Sequence, residues 1–177
     1  GLALGSALAA LESPLAASGT ASLTWDVNGR GDNEQALIVA LAGPVTLRTD
    51  AVTVKDLSVQ REFCRVVALA NGDKLSQSFP GDTAFETLEA DIALGGGRAR
   101  LERLAAMLPG IALAGRGELA LLAGDFSATV GGRLQPALGD FDPACTVDER
   151  LLDLTFPVTC EGNLKGTPKD WCALDAE

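Results

Sequence analysis

The sequence predicts an α+β domain: an antiparallel, curved β-sheet, a trough-like meander, with two or three short helices packed on one face. Three observations predict it. From Phe85 onward the chain runs in alternating apolar and polar stretches of about ten residues, each closed by a Gly-rich turn, the signature of an antiparallel meander. Upstream, two stretches carry apolar residues at helical spacing instead. The composition is 47% apolar but only 5% aromatic, with no Tyr, so Leu, Ala and Val must build the core, which suits layered sheet packing. At 177 residues the chain suits a single domain that buries roughly two-thirds of its unfolded surface. It divides into a helix-containing half, 1–80, and a meander with a disulfide-stapled tail, 81–177.

Taken in order, Leu2, Leu4, Leu8 and Leu11 fall at near-helical spacing and Ser13-Pro14 ends the run, so a helix is expected over 2–12. TASLTWDVNG then alternates: Ala21, Leu23, Trp25 and Val27 face one way, Ser22, Thr24, Asp26 and Asn28 the other. DNEQALIVALAG reads as a short helix with Asp32 as N-cap and Gly43 just past its end. Pro44 opens a strand, PVTLRTDAVTV. In DLSVQREFCRVVALANG the residues Val59, Phe63, Val66, Val67 and Ala70 share a helix face, and Gly72 stops the helix. LEADIAL turns at Gly95-Gly96-Gly97 into RARLERL, and GIALAGRGELAL turns at Ala123-Gly124-Asp125 into DFSATVGGRL. The last strand is expected around TFPVTCEGNL.

Charge removes whole classes of function. A net charge of −10, with Arg and Lys scattered, opposes nucleic-acid binding, which needs cations to displace phosphate counterions. It equally opposes a polybasic membrane patch. No apolar run reaches the ~18 residues of a membrane span. The opening GLALGSALAALESP lacks a basic leader and is broken by Pro14, so it reads as a helix rather than a signal peptide.

With no His in the chain, triads, Cys–His pairs and imidazole ligands are out of reach, and no catalytic residue is assigned. A four-cysteine zinc site needs closely spaced Cys pairs, and the nearest pair here is Cys160 and Cys172, so no metal is assigned either. Four widely spaced cysteines fit two disulfides in an oxidising compartment. Three pairings are open. The one expected is Cys145–Cys160, joining neighbouring strands, with Cys64–Cys172 pinning the tail to a helix.

Other motifs carry bland readings. Asp140 and Asp142 beside Pro143 suggest a solvated turn rather than a cation site. Glu86, Glu89 and Asp91 belong to a wet strand face or its entry. GRGELA matches a dinucleotide fingerprint at Gly115, Gly117 and Ala120, but inside an alternating run these glycines read as a bend or bulge. GGGRAR lacks the Lys-Ser/Thr of a phosphate loop. No cofactor is assigned. Trp171, beside Cys172, is read as packing over a disulfide rather than as a binding platform.

The pieces in order resemble the C-terminal region of the AsmA family of Gram-negative envelope proteins. The matching residues are ASGTASLTWDVNGRG (17–31), LIVALAGPVTLRTDAVTVKDLSV (37–59), FCRVVALANG (63–72), the meander from Phe85 to Leu134, and FPVTCEGNLKGTPKDWC (156–172). The family's N-terminal anchor has no counterpart, so the chain is expected to be a periplasmic fragment of a longer, inner-membrane-anchored protein. The resemblance implies a non-enzymatic role in outer-membrane biogenesis, by conducting or organising phospholipid along an apolar sheet face. The lipid-facing set expected is Leu88, Ile92, Leu94, Ile111, Leu113, Leu119, Phe126 and Val130. The partners implied are phospholipid or another acyl lipid and, in a scaffold reading, an envelope assembly protein bound through a sheet edge. The same alternation also fits an apolar face covered by helices at 33–42 and 57–71.

Overall fold

The structure is a computed structural model that describes residues 1–10 and 12–174. Among them one antiparallel sheet runs in simple sequence order, with short Gly-containing turns joining β4 to β7: β1 (Leu2–Ala3), β2 (Ala17–Trp25), β3 (Gly43–Val54), β4 (Thr83–Gly95), β5 (Arg98–Leu108), β6 (Ile111–Ala120), β7 (Asp125–Leu134), β8 (Thr155–Asn163) and β9 (Cys172–Leu174). The sheet is open, with β1 and β9 at its edges. The register slips between Ser18 and Thr20, between Asp91 and Ile92, and between Leu101 and Leu104; such bulges bend and twist a sheet. The helices are α1 (Leu4–Ala10), α2 (Glu34–Ala40), α3 (Val59–Asn71) and the single turn α4 (Glu149–Leu152). The first helix is shorter than the spacing predicts because Leu2 and Ala3 pair with Ala21 and Thr20. Leu11, counted in that helix, lies outside the described residues.

Local chemistry sets the helix ends. The N-cap of α2 is Asn33, not Asp32: Asn33 Oδ1 accepts from Ala36 N at 2.8 Å. The cap of α3 comes from the sheet, since Ser58 makes no side-chain capping bond. The Thr83 hydroxyl of β4 accepts from Val59 N at 2.9 Å and donates to Leu57 O at 2.5 Å, so this fully buried hydroxyl is satisfied twice. At the other end Gly72 takes the left-handed conformation (φ 75°) that stops a helix.

On α3 the buried residues are Gln60, Phe63, Cys64, Val67 and Ala68. The buried stripe is turned toward Cys64 relative to the expected face, leaving Ala70 exposed and Val66 partly buried. Phe63 seats on β7 where Gly132 offers no side chain: a Cβ added there would lie 2.3 Å from the ring. Phe63 also meets Phe156 edge-on at 6.4 Å. The core lies beneath this helix and includes Val52, Phe85, Leu108, Ile111, Leu134 and Leu138.

The disulfides are Cys64–Cys145 and Cys160–Cys172, not the pairing expected from sequence. The reason is geometric. Cys160 and Cys172 stand directly opposite each other on β8 and β9. Cys145 ends a 3-10 turn (Pro143–Cys145) packed on α3 beside Cys64. Closing 81 and 12 residues of chain stabilises by roughly 4.5 and roughly 3 kcal/mol in the loop-entropy picture.

Asp142 is not a solvated turn residue. It is 1% exposed, and its carboxylate accepts from Ser76 N (2.6 Å), Gln77 N (2.7 Å), Ala144 N (2.9 Å) and the Ser76 hydroxyl (3.3 Å). Burial alone would push this carboxyl up, but the N–H groups of Ala144, Gln77 and Ser76 outweigh it and the net shift is downward. Asn71 Nδ2 donates to Ala144 O and Thr146 O, and Phe79 stacks on Phe141 at 6.2 Å. Helix α3, the segment after it and the turns at 136–145 are thereby bound into one cover.

Candidate functional site

Cross-strand register assembles the apolar face row by row. One row reads Trp25, Val45, Ile92, Leu101, Gly117, Ala128, Cys160 and Cys172. The next, toward the packed end, reads Leu23, Leu47, Ala90, Leu104, Gly115, Val130, Val158 and Leu174. Beyond it Ala21, Thr49, Leu88, Ala106, Leu113, Gly132 and Phe156 lead under α3. At the opposite end Leu94, Ala99, Leu119, Phe126 and Gly162 form a further row.

The expected lipid-facing residues divide across these rows. Ile111 is fully buried in the core, so it is a packing residue with no surface to offer. Leu88 and Leu113 pack against that core. Ile92, Leu94, Leu119, Phe126 and Val130 are partly buried and take no part in the packed cluster. They share the face with Leu23, Trp25, Val45, Leu47, Leu101 and Leu104, none of them in the expected lipid-facing set, although Leu23 and Trp25 were expected on one face of their strand. Their alternation in the neighbouring strands was the signal that could have found them. Helix α2 does not cover this region: none of its residues is buried, and Leu37 and Val39 are 41% and 46% exposed. From β2 to β7 the uncovered strip crosses five strand spacings, about 24 Å, more than half the ~30 Å thickness of a bilayer's hydrocarbon core and therefore longer than one acyl tail.

The strip is bounded at β8. Trp171 stands edge-on to Phe126 at 5.2 Å, and a Cβ on Gly162 would lie 3.0 Å from its ring, so the indole covers this corner next to the Cys160–Cys172 bridge. The fingerprint glycines are explained by close approach: a Cβ on Gly117 would fall 2.7 Å from the Ala128 Cβ, against an ordinary cross-strand spacing of about 4.5–5.5 Å. Thr49 Oγ1 and Trp171 Nε1 are the side-chain polar atoms buried without a hydrogen-bond partner among the described residues, and both lie on this apolar side.

The opposite face is charged and internally paired. Glu89 accepts from Arg48 at 2.7 Å and from Arg103 at 3.0 Å, and Arg103 also reaches Asp91 at 2.8 Å. Arg98 pairs with Glu118. Hydrogen bonds from Arg103 hold the carboxyls of Glu89 and Asp91 below their ordinary range, and those carboxylates raise Arg103. Lys55 does the same to Asp82, and Arg150 to Asp148. Every resolved carboxyl shift is thus downward, the direction that keeps these groups anionic rather than readying one to donate a proton near neutral pH. Among the described residues no three His, Cys, Asp or Glu side chains are grouped to hold a metal ion, and no helix is long and apolar enough to cross a membrane.

The class these features define is an open-meander α+β domain with two disulfides, as suits an oxidising, extracytoplasmic compartment. No protein family, curated protein or solved structure matches the chain.

Proposed function

We propose that this chain is a non-enzymatic domain of the Gram-negative envelope that holds or conducts phospholipid acyl chains along the uncovered part of its apolar sheet face. In this reading it works in the periplasm, as part of an inner-membrane-anchored protein that supports outer-membrane biogenesis. One observation carries it: a strip of Leu, Ile, Val and Trp side chains across β2–β7, about 24 Å wide, that joins no packed cluster, on a sheet whose other end is covered by α3 and the turns after β7.

Native mass spectrometry with lipid extraction, on protein purified from the periplasm, tests this. Phospholipid is retained at fixed stoichiometry by the wild type and lost in Ile92→Glu/Leu119→Glu, with the urea midpoint little changed. A lipid-free mass on an intact fold overturns it. The reading then favoured is a scaffold docking through β2. That strand, ASGTASLTW, carries no charge and no Pro to protect its edge, and β1 covers it only at Thr20 and Ala21.

A further inference from the structure

Nine large apolar side chains are markedly exposed among the described residues, and five of them gather at one end of the sheet. The antiparallel ladder dictates which end. The tip of β2 at Trp25, the segment carrying α2, the β4–β5 turn, the β6–β7 turn and the residues just after β8 all fall on the same side. There Trp25 is 63% exposed, Leu37 41%, Val39 46%, Leu122 52% and Leu164 41%.

These tips form one connected rim. Val39 sits 3.4 Å from where a Cβ on Gly97 would be. Leu121 N donates to Gly97 O at 2.9 Å, and Leu164 N donates to Gly124 O at 2.9 Å. Asn163 Nδ2 donates to Ala123 O at 2.8 Å and to Asp125 Oδ1 at 2.9 Å. The rim is also nearly neutral within a chain of net charge −10: over 26–43, 95–98, 120–125 and 163–166 it carries Arg30, Arg98 and Lys165 against Asp26, Asp32, Glu34 and Asp125.

We propose that this rim seats on the surface of a lipid bilayer, with these five side chains entering the boundary between headgroups and acyl chains. The inference rests on the lipid reading above, because the rim opens directly onto the uncovered strip: Trp25, Leu94, Leu119 and Phe126 lie in the two rows next to it. Separate apolar tips spread over about 29 Å suit a fluid surface, which fills the gaps between them, better than a protein partner, which needs a contiguous complementary patch. An exposed Trp belongs at such a boundary, with its ring in apolar surroundings and its N–H in reach of water. With a net charge of −10 the attraction is hydrophobic, so zwitterionic membranes are preferred, salt changes binding little, and added anionic lipid weakens it.

Co-sedimentation with vesicles of phosphatidylcholine and phosphatidylethanolamine tests the proposal. The wild type pellets with the vesicles, and Val39→Glu/Leu122→Glu loses at least about tenfold in partitioning. Leu69→Glu and Leu154→Glu, at exposed positions away from the rim, bind as the wild type does, and all four charges leave the urea midpoint in place. A rim variant that pellets like the wild type, or binding that requires phosphatidylglycerol, overturns the proposal. Lipid retained by the soluble wild type without vesicle binding overturns the rim and leaves the strip reading standing. Vesicle binding without retained lipid does the reverse, and loss of both removes both.

Discussion

Ile111 and Ile92 sit on the same side of the same sheet, yet one is fully buried and the other only partly so. Alternation decided the side in both cases; the cover decided the rest. At the Ile111 end α3 is docked by Phe63 into the gap left by Gly132, locked by Cys64–Cys145 and tied to its neighbours by Asp142 and Asn71. At the Ile92 end no residue of α2 is buried. An apolar side is thus a local property of a strand, whereas a core needs a second layer with its own fixings. A charge placed at each end separates the two most strongly. Ile111→Glu strands a carboxylate in packed Leu, Val and Phe and costs roughly 4–5 kcal/mol or more, enough to unfold the chain. Ile92→Glu costs under about 1 kcal/mol, because solvent reaches that position. Urea midpoints decide it, and similar losses at both positions would mean that the strip is core.

The two disulfides sharpen the same contrast with a smaller effect. Cys64–Cys145 belongs to the cover, and Cys160–Cys172 fastens the three-residue edge strand β9. Replacing the first pair by Ala costs roughly 4.5 kcal/mol and replacing the second roughly 3 kcal/mol by loop length. The difference is expected to widen because the first pair is wholly buried whereas Cys172 is exposed. Denaturant titration of the two double variants checks this. An equal or reversed order would place the stability of the cover elsewhere.

How much of this was legible depends on the range of the interaction. The turns at Gly95–Gly97 and Gly124, the strands between them and the Gly72 stop were read correctly, because local backbone demands settle them. Strands β1 and β9, of two and three residues, are too short for alternation to register. The disulfide pairing was misread because it depends on which residues of β8 and β9 stand opposite, and on where a 3-10 turn lands on α3. Asp142 was misread for the same reason: its partners Ser76 and Gln77 are 66 and 65 residues away. Within the candidate site the apolar rows were legible from alternation. The placement of Ile111 under the helix was not, although Gly131-Gly132 inside a strand was a usable sign that something packs close there.

Asp142 gives the smallest of the three effects and the one with a pH signature. Its folded-state pKa lies below the ordinary value of 3.8, since three N–H groups together outweigh the upward push of burial. A carboxyl shifted down contributes stability that is fully present above its unfolded pKa and is lost as pH falls through its folded pKa. The contribution is therefore intact at pH 7 and fades below about pH 4. Asp142→Asn keeps one carbonyl acceptor but loses the charge and turns an NH2 toward backbone donors, so the variant is less stable than wild type at neutral pH. Glu89, Asp91, Asp82 and Asp148 also have lowered pKa values and titrate in the same window in both proteins. The informative quantity is accordingly the gap between wild type and variant, which should narrow from pH 7 to pH 3. A gap that stays constant with pH would mean that Asp142 holds the loop at Ser76 by shape rather than by charge. The cover would then be held by hydrogen-bond geometry at Asp142 together with Cys64–Cys145 and the Phe63 socket, with no part played by a buried charge.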